Sequence, residues 1–450
     1  MSLSRKRKVG FGLTNFGSLM APQAVGMYLV YNYVNGTVLG QSSGGILLVG
    51  IALLIFTIWD ASNDPLIGQW SDRTRSRWGR RKPFIMFGVP FLVVFYYLLW
   101  NPVVSTDVFL MFFILAVLLC IYDTFLTMST LWYAMYPEIS TTMGDRLEIS
   151  TYLQVFGILG LAFAYAVPSL LTRMGYGWNT IALILCAIIL VSFYMPVISV
   201  KEHGEFSLDK PLSFRKALGT SVKNRSFLTY LGTQLTLQLT YSIAVMTIPF
   251  FVNDVLGGDL FTLLIIMFVF IVVGLAVWFV FSRRSGPRKA LSVSMVILMI
   301  ALFLTLFVTE TIEVIAVLIV AGIALAGPMM IPTMMLADVC DEDELKTDAR
   351  REGMYTGISG FIVKLSISMS GLIVTSVLAF SGYVSTYSVQ PASAILGIRL
   401  LMGLVTLVPV AIGLVVLAKY PLVGERLSKL KKDVESLHKE KAKKLLKEKK

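Results

Sequence analysis

Asp60, Asn63 and Asp64 stand together in the apolar run IWDASNDPLIGQW, Ile58 to Trp70. Carboxylates at positions i and i+4 share one face of a helix, and the amide at i+3 joins them. A charge at the centre of a membrane helix costs roughly 2.5–3.5 kcal/mol, so two acids there call for a compensating partner. The cluster offers hard oxygen ligands, which suit a small cation. Two neighbouring carboxylates can equally hold one proton between them, because like charges raise one of the two affinities. These residue types therefore point to cation binding inside a membrane, with Na+ and H+ both open.

The elements that must position this cluster are membrane helices. The chain has 450 residues, 56% of them hydrophobic and only 15% charged, against about 25% charged in an ordinary soluble protein. Its mean hydropathy is +0.76. No nucleophile–base pair, metal-ligand spacing or phosphate loop stands out, so neither an enzyme nor a cofactor is expected. Cys120, Cys186 and Cys340 suggest no disulfide framework, and His203 and His438 sit in polar segments. The net charge of +12 does not imply nucleic acid, because it is concentrated at one end. Residues 421–450 hold eleven Lys/Arg against five Asp/Glu, with Leu427, Leu430, Val434 and Leu437 at helical spacing. This tail reads as a cytosolic amphipathic helix that rests on anionic headgroups, or else as a solvated basic tail.

A span of the ~30 Å hydrocarbon core needs about 20 residues. Twelve apolar segments meet that length, centred on 10–34, 44–70, 84–101, 108–135, 149–172, 178–199, 226–253, 259–282, 289–308, 312–337, 353–381 and 395–419. Alternate loops are basic, and the opposite set carries a single basic residue, Arg173. Both termini are accordingly expected in the cytosol, with no cleavable signal. The junctions GRRKPFIMFG from Gly79 and GPRKALSVSM from Gly286 occupy corresponding places in the two sets of six spans. The expected organisation is an N-terminal six-helix bundle over 1–199, a cytosolic connection over 200–225, a C-terminal bundle over 226–420 and the tail over 421–450, with substrate between the bundles.

Two long stretches carry a family resemblance. WDASNDPLIGQWSDRTRSRWGRRKPF, Trp59 to Phe84, resembles the signature of the glycoside–pentoside–hexuronide:cation symporters, the melibiose-permease branch of the major facilitator superfamily. ADVCDEDELKTDARREGMYTGISGFIVK, Ala337 to Lys364, resembles that family's 10/11 loop and its run into span 11. The resemblance implies an all-α membrane protein with twelve transmembrane helices in two pseudo-symmetric bundles. It implies cation-coupled symport of a sugar, glycoside or related carbohydrate by alternating access, in a cell membrane, by a monomer among membrane lipids.

Carried over residue by residue, the resemblance places Asp60, Asn63 and Asp64 at the cation site and Lys364 at the lysine that links cation and sugar sites. The sugar-binding pattern departs: Leu19 stands where an aspartate is expected on span 1, and Gln154 where an arginine is expected on span 5. Trp132 corresponds to the span-4 tryptophan, one residue out of spacing. Asp123, near mid-membrane with Thr124 and Thr127 close by, is a candidate for substrate contact, for the cation site or for pairing with Lys364. Tyr28 is a further candidate for stacking on a sugar. Asp72, Arg73, Arg146, Asp338 and Arg350 are candidate gating charges on the cytosolic side. The missing acid at Leu19 also keeps a second reading open, a cation-coupled lysophospholipid or amphiphile transporter.

Overall fold

A computed structural model describes residues 4–103, 105–139, 143–199, 224–347 and 352–448. Every regular element among them is helical: α1 (Arg5–Gly36), α2 (Ser43–Arg73), α3 (Lys82–Trp100), α4 (Val108–Thr130), α5 (Trp132–Ile139), α6 (Met143–Arg173) and α7 (Trp178–Ser199). Then come α8 (Arg225–Phe250), which ends in a π-helical turn (Phe251–Leu256), α9 (Leu260–Ser285), α10 (Pro287–Leu304), α11 (Thr311–Thr347) and α12 (Glu352–Phe380). Last are α13 (Ala392–Leu400), α14 (Thr406–Leu417) and α15 (Gly424–Glu448). Eleven stretches of the described helices are long and apolar enough to cross a membrane. Helix α1, at 32 residues, has the length but interrupts its apolar run with Asn15, Gln23 and Asn32.

The helix starts follow from local chemistry. Ser42 caps α2 by accepting from the Gly45 N–H at 3.1 Å, and Asp107 caps α4 by accepting from Leu110 at 2.8 Å. Each satisfies a donor that the helix itself leaves unpaired. Prolines lie inside many of the long helices, among them Pro22, Pro65, Pro90 and Pro168. Such breaks are tolerated in membrane helices because neighbouring groups re-satisfy the freed backbone.

The chain forms two compact units. The first comprises Met1–Lys210, Val245–Ile265 and Ser368–Ile398; the second comprises Pro211–Ala244, Ile266–Ile367 and Arg399–Lys450. In the first unit α1 packs along α6 and α7, while α2 and α3 both pack on α4. The α1–α6 seam is backbone-close: a β-carbon at Gly160 would collide with the Phe16 carbonyl, and one at Gly157 would lie 2.6 Å from the Asn15 amide nitrogen. Small residues allow that approach, which is how membrane helices gain packing without a hydrophobic drive between them. The α3–α4 seam is aromatic, with the Phe125 ring stacked on Phe91 at 5.0 Å and on Phe95 at 5.7 Å. Helix α2 also meets the 368–380 stretch of α12, where the Ser368 hydroxyl donates to the Leu53 carbonyl at 3.1 Å.

In the second unit α10 packs against α11 and α14. The Ser294 hydroxyl donates to the Ala324 carbonyl at 2.8 Å, and the Trp278 indole to the Ile323 carbonyl at 2.7 Å. Helix α15 lies on α11. Leu427, Leu430 and Val434, the stripe legible in the sequence, are buried. Arg426 bonds Glu342 at 3.0 Å, and Lys431 stands 3.8 Å from Asp338. Over Leu427–Val434 the tail's apolar face is thus turned to protein, with Lys429, Lys431 and Lys432 exposed. The expected connection, 200–225, lies outside the described residues apart from its last two positions.

Candidate functional site

The acidic cluster sits in the second half of α2, where it faces α4. Asp60 and Asn63 are 5% and 6% exposed, and Asp64 is partly buried. Across the interface Asp123, the sixteenth residue of α4, is 3% exposed. The Asn63 amide donates to Asp123 Oδ2 at 3.0 Å and reaches Thr127 Oγ1 at 3.4 Å; the Thr127 hydroxyl donates to Asp64 Oδ1 at 2.7 Å. Beside this chain the Trp59 indole donates to Thr124 Oγ1 at 3.0 Å. An amide and a hydroxyl therefore interlock carboxylates on two helices.

Local sequence explains the arrangement. Asn63 follows Asp60 by three residues and Thr127 follows Asp123 by four, so each pair shares a helix face. Pro65, next to Asp64, has no N–H for the Ala61 carbonyl one turn back. The cluster thus sits where the helix backbone itself is interrupted. Among the described residues no three His, Cys, Asp or Glu side chains converge as a metal centre. The oxygens are of mixed kind, two carboxylates and a neighbouring third with amide and hydroxyl between them. That set suits an alkali cation or a shared proton better than a transition metal.

Asp123, one of three possibilities in the sequence, is brought directly to Asn63. Sequence reasoning placed Thr127 only as a hydroxyl near Asp123 and missed its bond to Asp64; its signal was the i+4 spacing from Asp123. Replacing Thr127 by Val removes the donor to Asp64 and the oxygen beside Asn63. The expected outcome is a loss of about 1–3 kcal/mol of cation binding, a factor of roughly 5–150 in affinity, with folding retained. Calorimetric or fluorescence titration of the purified variant with NaCl at fixed pH, and with protons at fixed sodium, checks it.

The remaining candidates stand on other helices. Trp132, fully buried, donates its indole N–H to Ser18 Oγ at 3.0 Å and packs edge-on against Phe11, with ring centroids 5.3 Å apart. Its ring stacks on Tyr133 at 3.9 Å. Tyr28 is buried, bonds the Tyr165 carbonyl and meets the Trp178 ring edge-on at 5.6 Å. Gln154 is exposed, and Leu19 is half-buried on α1. Lys364 belongs to the second unit, half-buried on α12 about three turns from its start.

Of the gating candidates, Arg73 is exposed at the end of α2. Asp338 is buried on α11 beside Lys431 of the tail helix. The side chains of Asp72 and Arg146, and Arg350 as a whole, lie outside the described residues. One pairing absent from the sequence reading ties the N-terminal end of α1 to α6: Lys8 stands 2.6 Å from Asp145 and 2.8 Å from Glu148.

Comparison with known proteins is consistent with this geometry. A family model described as MFS/sugar transport protein matches residues 10–424. The isoprimeverose transporter of Lactiplantibacillus pentosus is 24% identical over 87% of this chain and 84% of its own length. Sodium-dependent lysophosphatidylcholine symporter 1 of Gallus gallus is likewise 24% identical, over 87% of this chain and 82% of its own. Among solved structures, the inward-facing, unoccupied bacterial homologue of the human lysosomal transporter Spinster superposes with a TM-score of 0.68 at 12% identity. That match covers 93% of this chain and 98% of the other.

Proposed function

The chain belongs to the MFS/sugar transport protein family, and we propose that it couples entry of a carbohydrate to entry of one cation held at Asp60, Asn63 and Asp64. It is an all-α, multi-pass membrane protein of the major facilitator fold. The observation that carries the proposal is the buried hydrogen-bonded cluster Asp60–Asn63–Asp64 with Asp123 and Thr127. Carboxylates this deep in apolar helices are retained where a cation must be bound and released. The relatives are named for an isoprimeverose transporter and a sodium-dependent symporter, which supports coupled transport by this chain.

Alternating access gives the cluster its role. Cation binding at Asp60 and Asp64 favours the conformation with high substrate affinity, and substrate favours cation binding by the same factor. A coupling free energy of about 1–3 kcal/mol is typical of such linkage. Lys364 joins the cation site to the substrate site, and Asp123 and Gln154 contribute polar contacts along the path. The N-terminal bundle spans 1–199 and the C-terminal bundle 226–420, with the basic connection, the tail and both termini in the cytosol of a cell. The working unit is a monomer in a lipid bilayer. Asp72, Arg73, Arg146, Asp338 and Arg350 close the cytosolic mouth. Exposed ion pairs contribute only ~0–1 kcal/mol each, which suits a gate that opens on every cycle.

The lysophosphatidylcholine relative and the absence of an acid at Leu19 sustain one competing reading, transport of a lysophospholipid. Uptake into proteoliposomes separates the two. Radiolabelled xylosides, galactosides and lysophosphatidylcholine are each presented under an imposed sodium gradient, an imposed pH gradient, and neither. Accumulation of a saccharide that either gradient drives is the expected result. Uptake of the lysolipid alone assigns the other substrate class, and uptake indifferent to both gradients overturns cation coupling.

A further inference from the structure

The first unit contains a cavity, distant in sequence from the acidic cluster, with a volume of about 440 Å³. The helix ends that flank the 174–177 turn, Thr172 and Arg173 of α6 and Trp178 of α7, build it with the 257–259 turn after α8 and the outer part of α1. These turns belong to the loops that lack basic residues, apart from Arg173, and so lie on the side away from the cytosol in the proposed orientation. We propose that this cavity is an external vestibule that binds the carbohydrate before it reaches the transport path.

The lining combines aromatic faces with hydrogen-bonding groups. Tyr31 and Trp178 stand in the wall, both half-buried. Each is held by a further ring: Trp178 is stacked on Trp100 at 4.8 Å and 4° between planes, and Tyr31 meets Phe250 edge-on at 4.9 Å. Rings fixed this way present apolar surface at little entropic cost, the property that recognition of a sugar's C–H face requires. Around them stand the polar side chains of Thr172, Asn253 and Asp259. They offer hydroxyl, amide and carboxylate to the outward hydroxyls of a saccharide. The volume lies within the range of small-molecule sites, which are concave, mainly apolar and fixed by a few convergent polar groups.

Asp259 has a further part. It caps α9, accepting from the Thr262 N–H at 3.3 Å, and it pairs with Arg173 at 2.7 Å. Arg173 is 58% exposed and Asp259 36% exposed, so the pair lies at the cavity rim and water competes with it. Saccharide hydroxyls can take over the same acceptor and donors. An isolated pair of this kind would serve only to tie α6 to α9; its position beside two anchored rings is what gives it a ligand.

The vestibule rests on the carbohydrate reading, and one pair of measurements separates their failures. The full-length protein in detergent is titrated with methyl β-D-xyloside and methyl β-D-galactoside, following tryptophan fluorescence. The same saccharides are assayed for uptake in proteoliposomes. Trp178→Ala should abolish saccharide quenching and raise half-saturation for uptake about three- to tenfold, the worth of one aromatic contact. Asn253→Ala, which removes the amide bonded to the Tyr31 hydroxyl but keeps the ring contacts of Trp178 with Trp100 and of Tyr31 with Phe250, should raise half-saturation similarly without altering sodium or proton stimulation. Quenching should survive in the Asp60→Asn/Asp64→Asn variant, because the vestibule does not use those groups. Unchanged half-saturation in Asn253→Ala, with normal uptake by the parent protein, overturns the vestibule alone. Quenching that depends on Trp178 without gradient-driven uptake overturns the transport reading and leaves the vestibule standing. Neither quenching nor uptake with any saccharide overturns both.

Discussion

Asp60→Asn/Asp64→Asn is expected to eliminate cation-driven accumulation of substrate. Both side chains lie in the acidic cluster, and Asp60 is only 5% exposed. A cation held at the proposed site would be neutralised by carboxylates in a low-dielectric setting. Removing the charged partner of a buried pair costs about 3–5 kcal/mol, two orders of magnitude or more in affinity. Asparagine preserves the shape and leaves Thr127 an acceptor, so the helices remain packed. Asp64→Asn alone should already abolish accumulation, while Asp60→Asn weakens it or changes which cation is accepted. Exchange of substrate down its own gradient survives, because exchange need not carry a cation through the full cycle. The deciding measurement is substrate binding to the purified double variant with and without sodium, at high and low pH. Cation stimulation at parental strength in that variant would make these carboxylates structural.

Gly50→Leu should slow transport at least about tenfold while sparing cation binding. Gly50 lies on α2 against the 368–380 stretch of α12. A β-carbon there would collide with the Thr375 hydroxyl and come within 3.1 Å of the Leu372 α-carbon. A backbone atom cannot step aside as a side-chain tip can, so leucine must part the two helices. Glycines at such seams let membrane helices approach, and moving helices need a seam that closes completely. A wedge therefore holds this seam open and stalls the cycle, whereas the acidic cluster lies about three turns further along α2 and keeps its geometry. Steady-state uptake and counterflow report the slowing, and sodium titration reports the preserved site. Unchanged uptake would mean that this contact does not move during transport.

Much of the site was legible in one dimension because a membrane makes burial readable. Acids are rare in an apolar run, so Asp60 and Asp64 announced themselves, and helical geometry put Asn63 on their face. The eleven apolar spans among the described residues were readable for the same reason, since a bilayer demands length and apolarity of each. The apolar stripe of the tail was also plain, but whether it met lipid or protein was not. The same leucines suit either, and only packing against α11 chose protein. Trp132 was similarly ambiguous. A tryptophan near a span end reads as sugar platform or as interface anchor, and the fold seats it against Phe11 with its N–H on Ser18.

What the sequence by itself determined is the set of groups available within each helix: the spacing of Asp60, Asn63 and Asp64, the break at Pro65, and the pairing in register of Asp123 with Thr127. Those relations span one turn, and a helix has a single period, so no tertiary information is needed to draw them. What only the tertiary structure decided is which helix faces meet. Depth and rotation of α4 against α2 follow from many weak contacts, the Phe125 stacks on Phe91 and Phe95 among them. No short motif encodes that sum. It is this packing that brings Asp123 to the Asn63 amide. The same packing gave Thr127 its carboxylate partner, sixty-three positions away along the chain.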